Sequence, residues 1–190
     1  MCYWQRMNTF GALAPESAAP VRFTVEQFLR MIDMGLFPDE HVELVHGEII
    51  QLSPAHSPHA RAHSGVSYRL AQMYGPDRLL IDCFIRLDDL SLRAFDITIL
   101  QEGVTPGDTL EPQEVLLGVE IAHSSIDRDL GEKLRHYAAA GIRNYLVVDL
   151  NAERLLLMSQ AQAGSFKQRL EASFAEGLAL PGGTGALKLH

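Results

Sequence analysis

The chain has little cysteine: Cys2 and Cys83 are the two in 190 residues, far apart and without C-x2-C spacing. That excludes a disulfide framework and a thiolate zinc site. No apolar run reaches the roughly eighteen residues of a membrane-spanning helix, so none is expected. The opening MCYWQRMNTF lacks the basic stretch and apolar core of a secretory leader, and the expected location is cytoplasmic. Basic residues are in the minority, 16 against 24 acidic, giving a formal net charge of -8. This argues against a general nucleic-acid binder, whose affinity comes from Lys and Arg, but leaves room for a local basic patch around Arg61, Arg69, Arg86, Arg128 and Arg135. There is no internal repeat, low-complexity tract, G-x-S-x-G elbow or H-E-x-x-H pair. What is present is ordinary globular composition, 47% hydrophobic and 21% charged, long enough for one domain.

Residues 1–21 mix small residues with Pro and show no period, so they read as a mobile tail preceding a single domain over 22–190. Thr24 and Gln27 form a capping-box pattern ahead of a helical stripe of Val25, Phe28, Leu29 and Ile32. HVELVHGEIIQLS alternates around His46-Gly47 and reads as a hairpin with Glu43 on its first arm. Ser57-Pro58 opens a helix that ends near Gly75. LLIDCFIRL and AFDITIL read as an antiparallel pair, with Phe95, Ile97 and Ile99 expected on one face and Asp96, Thr98 and Leu100 on the other. VLLGVEIA, the helical DRDLGEKLRHYAAAG with Gly141 as its stop, and IRNYLVVDL make a βαβ unit, which favours parallel pairing. ERLLLMS and SFKQRLEAS extend the sheet as a hairpin. The expected fold is α/β or α+β, a mixed central β-sheet flanked by helices.

Two acids stand where a strand should be apolar. Glu120 lies inside VLLGVEIAHSS and Asp96 inside AFDITIL. A carboxylate is almost never fully buried unless paired, because leaving water costs an isolated charge more than a strand returns. If these strands are neighbours, the two acids share one end of the sheet, and like charges that close need a counter-charge. A basic side chain would serve. So would Mg²⁺, which takes one or two carboxylates plus water and phosphate oxygens. Lys133, three residues after Leu130 and four before Tyr137, flanks the apolar face of its helix and could bend toward the acids. Glu43 could complete the set.

At these residues the sequence resembles the Uma2-type restriction endonuclease family (DUF820), a bacterial branch of the PD-(D/E)XK nuclease superfamily. The matching pieces are VELVHGEIIQLSP, SPHARAHSGVSYRL, IRLDDLSLRAFDITIL and VEIAHSSIDRDLGEKLRHYAAAGIRNYLVVD. The resemblance implies a restriction-endonuclease-like core and a Mg²⁺-dependent hydrolysis of DNA, with Mn²⁺ as a substitute ion. It implies Asp96 and Glu120 as catalytic metal ligands and Glu43 as an auxiliary acid. Ala122 occupies the position of the motif lysine, and the resemblance implies that Lys133 on the next helix takes its place. It also puts His59 near the acids to position substrate; by its own position just after Glu120, His123 is a further residue that could reach the site. Phe95 stands where relatives have proline and Leu146 where they often have tryptophan, both structural positions.

Other readings of the same residues stay open. Glu120 could pair with Arg93 or Arg143, Glu43 could be a solvated hairpin residue, and Lys133 an exposed helix lysine. His56, His59 and His63 form an H-x2-H-x3-H cluster that could hold zinc with a distant third ligand. Ser124 and Ser125 read as capping the next helix. The alternative function is an inert nuclease-fold module that binds or assembles, for instance as a homodimer.

Overall fold

Local signals start the fold. In the computed structural model, which describes residues 19–38, 41–52, 57–123 and 125–189, the Thr24 side chain accepts from Gln27 N and the Gln27 side chain accepts from Thr24 N. This capping box opens helix α1, Val25–Asp33, whose Val25 and Phe28 pack with Val42, Leu44 and Leu92. Residues 1–18 of the expected tail lie outside the described residues, and 19–21 are exposed coil.

Strands β1, Val42–Val45, and β2, Glu48–Gln51, form the hairpin around His46-Gly47. Helix α2 runs Ser57–Tyr74. The long strands β3, Leu79–Asp88, and β4, Ser91–Leu100, pair antiparallel through a tight turn. Strand β5, Val115–Ala122, is followed by a helical stretch and by β6, Asn144–Asp149, which pairs parallel to β5. Strands β7, Arg154–Gln162, and β8, Ser165–Ser173, close the far edge as an antiparallel hairpin. Two short strands, β9, Leu178–Ala179, and β10, Ala186–Leu187, make a separate ribbon.

The main sheet has eight strands in the order β2-β1-β4-β5-β6-β7-β8, with β3 also on β4. Because β3 takes one edge of β4 along its length, β1 and β5 divide the other. β1 touches β4 only at Leu44 and Leu92, and the β4–β5 ladder begins at Ile97 and Val119. The edge of β4 from Arg93 to Asp96 is therefore a fork, where two ladders part. A fork exposes backbone groups that a continuous sheet would satisfy, so other partners are needed there.

The sheet is covered on both faces. On one, Val66 and Leu70 of α2 pack with Ile97, Ile99, Leu117, Val119 and Ile121. On the other, Tyr137 packs with Phe95, Tyr145, Val147 and Leu156. Strict alternation predicts Phe95 on the same face as Ile97; it packs instead in the opposite cluster. The reversal falls at Asp96, across from Asp82, whose φ of 50° is left-handed. Phe95 also explains Gly118: a Cβ there would sit 2.3 Å from the Phe95 ring.

The helix expected over 127–141 is not uniform. A short α3, Ile126–Arg128, leads into a π-helical turn, Asp129–Lys133, and then α4, Leu134–Ala139. Gly141, with φ of 84°, stops it as expected. The π turn, a feature often found at functional sites, carries both Asp129 and Lys133 inward.

Candidate active site

At the fork, carboxylates supply what the ladders do not. Ala94 N donates to Glu43 Oε1 at 3.2 Å, and Ile121 N donates to Asp96 Oδ2 at 2.6 Å. Asp96 and Glu120 are the next residues outward from the Ile97–Val119 pair, so the register brings them side by side. The acids are thus part of the sheet's construction, and their placement follows from strand pairing alone.

Glu120 is sealed on the α4 face, 4% exposed. Its Oε1 accepts from Lys133 Nζ at 2.7 Å and from the Tyr137 hydroxyl at 2.9 Å. Lys133 is 3% exposed and also lies 3.7 Å from Asp129 Oδ1, so it is neither a solvated helix lysine nor free to leave without uncovering an acid. Asp129 is held in turn by Ser125 Oγ at 2.5 Å, and its carbonyl accepts from the Tyr145 hydroxyl at 3.1 Å. Burial pushes the Glu120 carboxyl up to about 8, against the pull of Lys133 and with the push of Asp96 and Asp129. Burial also works against the Lys133 ammonium, but Glu120, Glu43 and Asp129 outweigh it and hold the amine above its ordinary range.

Asp96 meets the opposite environment. His59 Nε2 of α2 lies 3.4 Å from its Oδ2, and His63 Nε2 is 2.9 Å from its backbone oxygen. Burial raises the Asp96 carboxyl, yet the His59 contact, the Ile121 amide and the Lys133 charge together hold it below its ordinary value. The Asp96 hydrogen bond raises His59 against its own burial. The bonds to Asp96 fall on Oδ2 and those to Glu120 on Oε1, so among the described residues one oxygen of each is left without a protein donor. Hard carboxylate oxygens of this kind suit Mg²⁺ or Mn²⁺.

The structure therefore gathers Asp96, Glu120, Lys133, Glu43 and His59 around one fork. It does not gather His123: this residue is exposed past the end of β5, its carbonyl accepts from Asn151 Nδ2, and among the described residues no hydrogen bond ties its ring to the acids. Neither expected arginine pairs with Glu120, since buried Arg93 bonds Glu132. Glu43 is buried, not a solvated hairpin residue. His63, one of the three histidines of the possible zinc cluster, bonds the Asp96 carbonyl, while His56 and Ser124 lie outside the described residues. Sequence reasoning missed Tyr137, Asp129 and Asp82. Nothing local marks the first two: both read as ordinary positions of an amphipathic helix.

A cleft of about 380 Å³ opens beside Glu43, lined by Arg22, Arg93, Arg128, Glu48 and Glu132 among others. Arg22 is paired with Glu48 at 3.2 Å, and Arg93 with Glu132. Arg128 brings an exposed guanidinium to its wall. Of the other arginines, Arg86 is occupied by Glu26 at 2.6 Å and Asp89 at 2.9 Å. Asp96, Glu120 and Lys133 do not line this cleft.

The fold is thus a forked mixed sheet flanked by helices, with clustered acids at the fork. The same architecture occurs in a solved structure described as "a putative nuclease belonging to DUF820" from Anabaena variabilis, which matches with a TM-score of 0.62 over 84% of this chain and 88% of that chain, at 14% identity. The model of the family described as "Uma2: Putative restriction endonuclease" matches residues 25–186, most of the chain, and the chain belongs to that family. A comparison with curated proteins finds no match. No helix among the described residues is long and apolar enough to cross a membrane.

Proposed function

We propose that the chain is an endonuclease that hydrolyses DNA phosphodiester bonds, with Asp96 and Glu120 holding Mg²⁺, or Mn²⁺ in its place. The meeting of Asp96, Glu120 and the Lys133 ammonium at the fork carries this reading, and the family supports it. When bound, the ion would polarise the scissile phosphate and lower the pKa of the attacking water. Asp96 is already ionised and oriented by Ile121 N. Glu120 must lose its proton before it can serve as a ligand, and Lys133 eases that loss. The ammonium is a fixed positive charge beside the ligands, suited to orient water or to stabilise charge on the pentavalent transition state. Glu43 holds the β1–β4 side of the fork, and His59 keeps Asp96 anionic. Arg128 offers a cation for the DNA backbone at the cleft mouth.

A second reading is favoured by one specific observation: Glu120 and Lys133 are closed off from solvent, and the neighbouring cleft reaches Glu43 alone of the five residues at the fork. On that reading the fold is an inert binding or assembly module. Incubation of single- and double-stranded DNA with the protein in Mg²⁺, in Mn²⁺ and in chelator, with Glu120→Gln in parallel, separates them. The nuclease reading expects cleavage that chelation abolishes and Glu120→Gln lacks. Intact DNA under every condition, or equal cleavage by Glu120→Gln, overturns it in favour of the module.

A further inference from the structure

Beside the fork, two hairpin turns and helix α4 bring together a second set of ligating side chains. His46 sits in the β1–β2 turn, Asp88 at the end of β3 and His136 on α4. Each offers one donor atom, and the three atoms lie within 4.8 Å of one another. Neither Asp96 nor Glu120 belongs to this group. We propose that His46, Asp88 and His136 form a binding site for a divalent transition ion of zinc's ligand preference, separate from the carboxylate site and independent of the nuclease reading.

The first argument is an unpaid need at His136. Its ring is 8% exposed, and Nδ1 is buried with no hydrogen-bond partner. The other nitrogen, Nε2, is 3.4 Å from Asp88 Oδ2, longer than a good hydrogen bond. Buried imidazole nitrogens are normally partnered, and this ring lacks a strong partner at either one. The second argument is the neighbouring ring. His46 stacks on His136 with centroids 4.7 Å apart and planes 22° apart, so two imidazoles and a carboxylate converge.

The third argument is that the frame is built before any ion arrives. Gly47 N donates to Leu90 O at 2.7 Å, and His46 N donates to Ser91 Oγ at 3.2 Å, which locks one turn onto the other. His46 holds the left-handed φ of 51° that this turn requires. Asp88 Oδ1 accepts from Leu90 N at 2.8 Å, fixing the carboxylate and leaving Oδ2 to face His136. Ligands anchored in this way lose little freedom on binding.

Donor type sets the ion. Imidazole nitrogen favours zinc and its first-row neighbours over Mg²⁺ and Ca²⁺, so this site and the all-carboxylate fork select different metals. Three protein ligands leave a coordination position for water. The Arg93 guanidinium also acts on His136, and its charge is met by Glu132. An ion here would pin α4 to both turns one residue before Tyr137, the donor to Glu120.

The test uses the full chain without a polyhistidine tag, titrated calorimetrically with ZnCl2 and followed with Co²⁺ by its visible d–d absorption. One ion should bind per chain in the wild type and equally in the Asp96→Asn/Glu120→Gln double variant, which removes the carboxylate site. His46→Asn keeps a residue that tolerates left-handed φ, and Asp88→Asn keeps an oxygen for Leu90 N, so both should fold, as circular dichroism would show. Each should weaken zinc binding about tenfold or more. Absence of zinc uptake by the wild type, its loss in the double variant, or unchanged affinity in His46→Asn and Asp88→Asn overturns the proposal.

Discussion

Asp96 and Glu120 leave the same end of the same ladder, yet the two sides of the fork treat them oppositely. On the α2 side, Asp96 keeps part of its side chain in water and has a backbone amide and an imidazole at one oxygen. On the α4 side, Glu120 lies beside the ring cluster of Tyr137, Tyr145 and Phe95, whose rings lie 4.3–5.9 Å apart, and among the described residues the cation paired with it is the equally buried Lys133. One carboxyl is held low and the other pushed up. Separated ionisation lessens the repulsion between the two acids, because the carboxyl that burial pushes up gives up its proton only at higher pH than its neighbour.

The harshest way to break this contrast is to remove the cation on the sealed side. Lys133→Met, which keeps the volume, should lower single-turnover cleavage about a hundred-fold or more, a larger loss than that of Mg²⁺ affinity measured calorimetrically, which falls because Glu120 ionises less readily without the ammonium. Full activity would leave Lys133 a structural counter-ion only.

A milder probe is pH. If Glu120 must ionise to serve, cleavage and Mg²⁺ affinity should rise by up to about tenfold per pH unit toward 8 and flatten above it. A profile that is flat from about pH 5 upward would mean that Glu120 ionises like Asp96 and that the two sides do not differ. Stability should show opposite signs at the two acids. Asp96, lowered by folding, stabilises the native state above its unfolded pKa and loses that contribution as pH falls through its folded value. Glu120, raised to about 8, contributes most below its unfolded pKa and loses the contribution as pH rises through about 8. In urea unfolding, Glu120→Gln should remove the alkaline part of that dependence and Asp96→Asn the acid part.

The smallest effects sharpen the comparison with a matched pair. Tyr137→Phe deletes one donor to Glu120 and should cost about 1 kcal/mol of stability while moving the carboxyl further up. His59→Gln removes the imidazole beside Asp96 and should let that carboxyl drift up toward its ordinary value, with little change in melting temperature. Carboxyl-carbon NMR titration reads both. Equal shifts at both acids in either variant would show that the two environments are one.

Much of the fold was legible because its signals are local. Thr24 with Gln27, the turn at His46-Gly47, Ser57-Pro58 and Gly141 each mark a boundary through two or three neighbouring residues, and each stands where expected. Asp96 and Glu120 were legible as acids out of place in apolar strands. The reversal at Asp96 was not, since alternation says nothing about where a strand breaks its own period. The π turn was equally hidden: DLGEK reads as ordinary helix, and an extra residue in one turn is chosen by what the side chains meet. His123 shows how little nearness in sequence decides: three residues past Glu120 it is exposed, and among the described residues no hydrogen bond ties its ring to the acids.

By itself the sequence determined the order of strands and helices and the presence of two acids that a buried strand cannot hold alone, because periodicity, caps and turns act over a few residues. Only the tertiary structure decided that Lys133 and Tyr137 answer Glu120, that His59 answers Asp96, and that His46, Asp88 and His136 meet. The reason is that desolvation and charge depend on everything within several ångströms, and at the fork those neighbours come from β1, α2, β4, β5 and the π turn, segments separated by up to about ninety residues of chain.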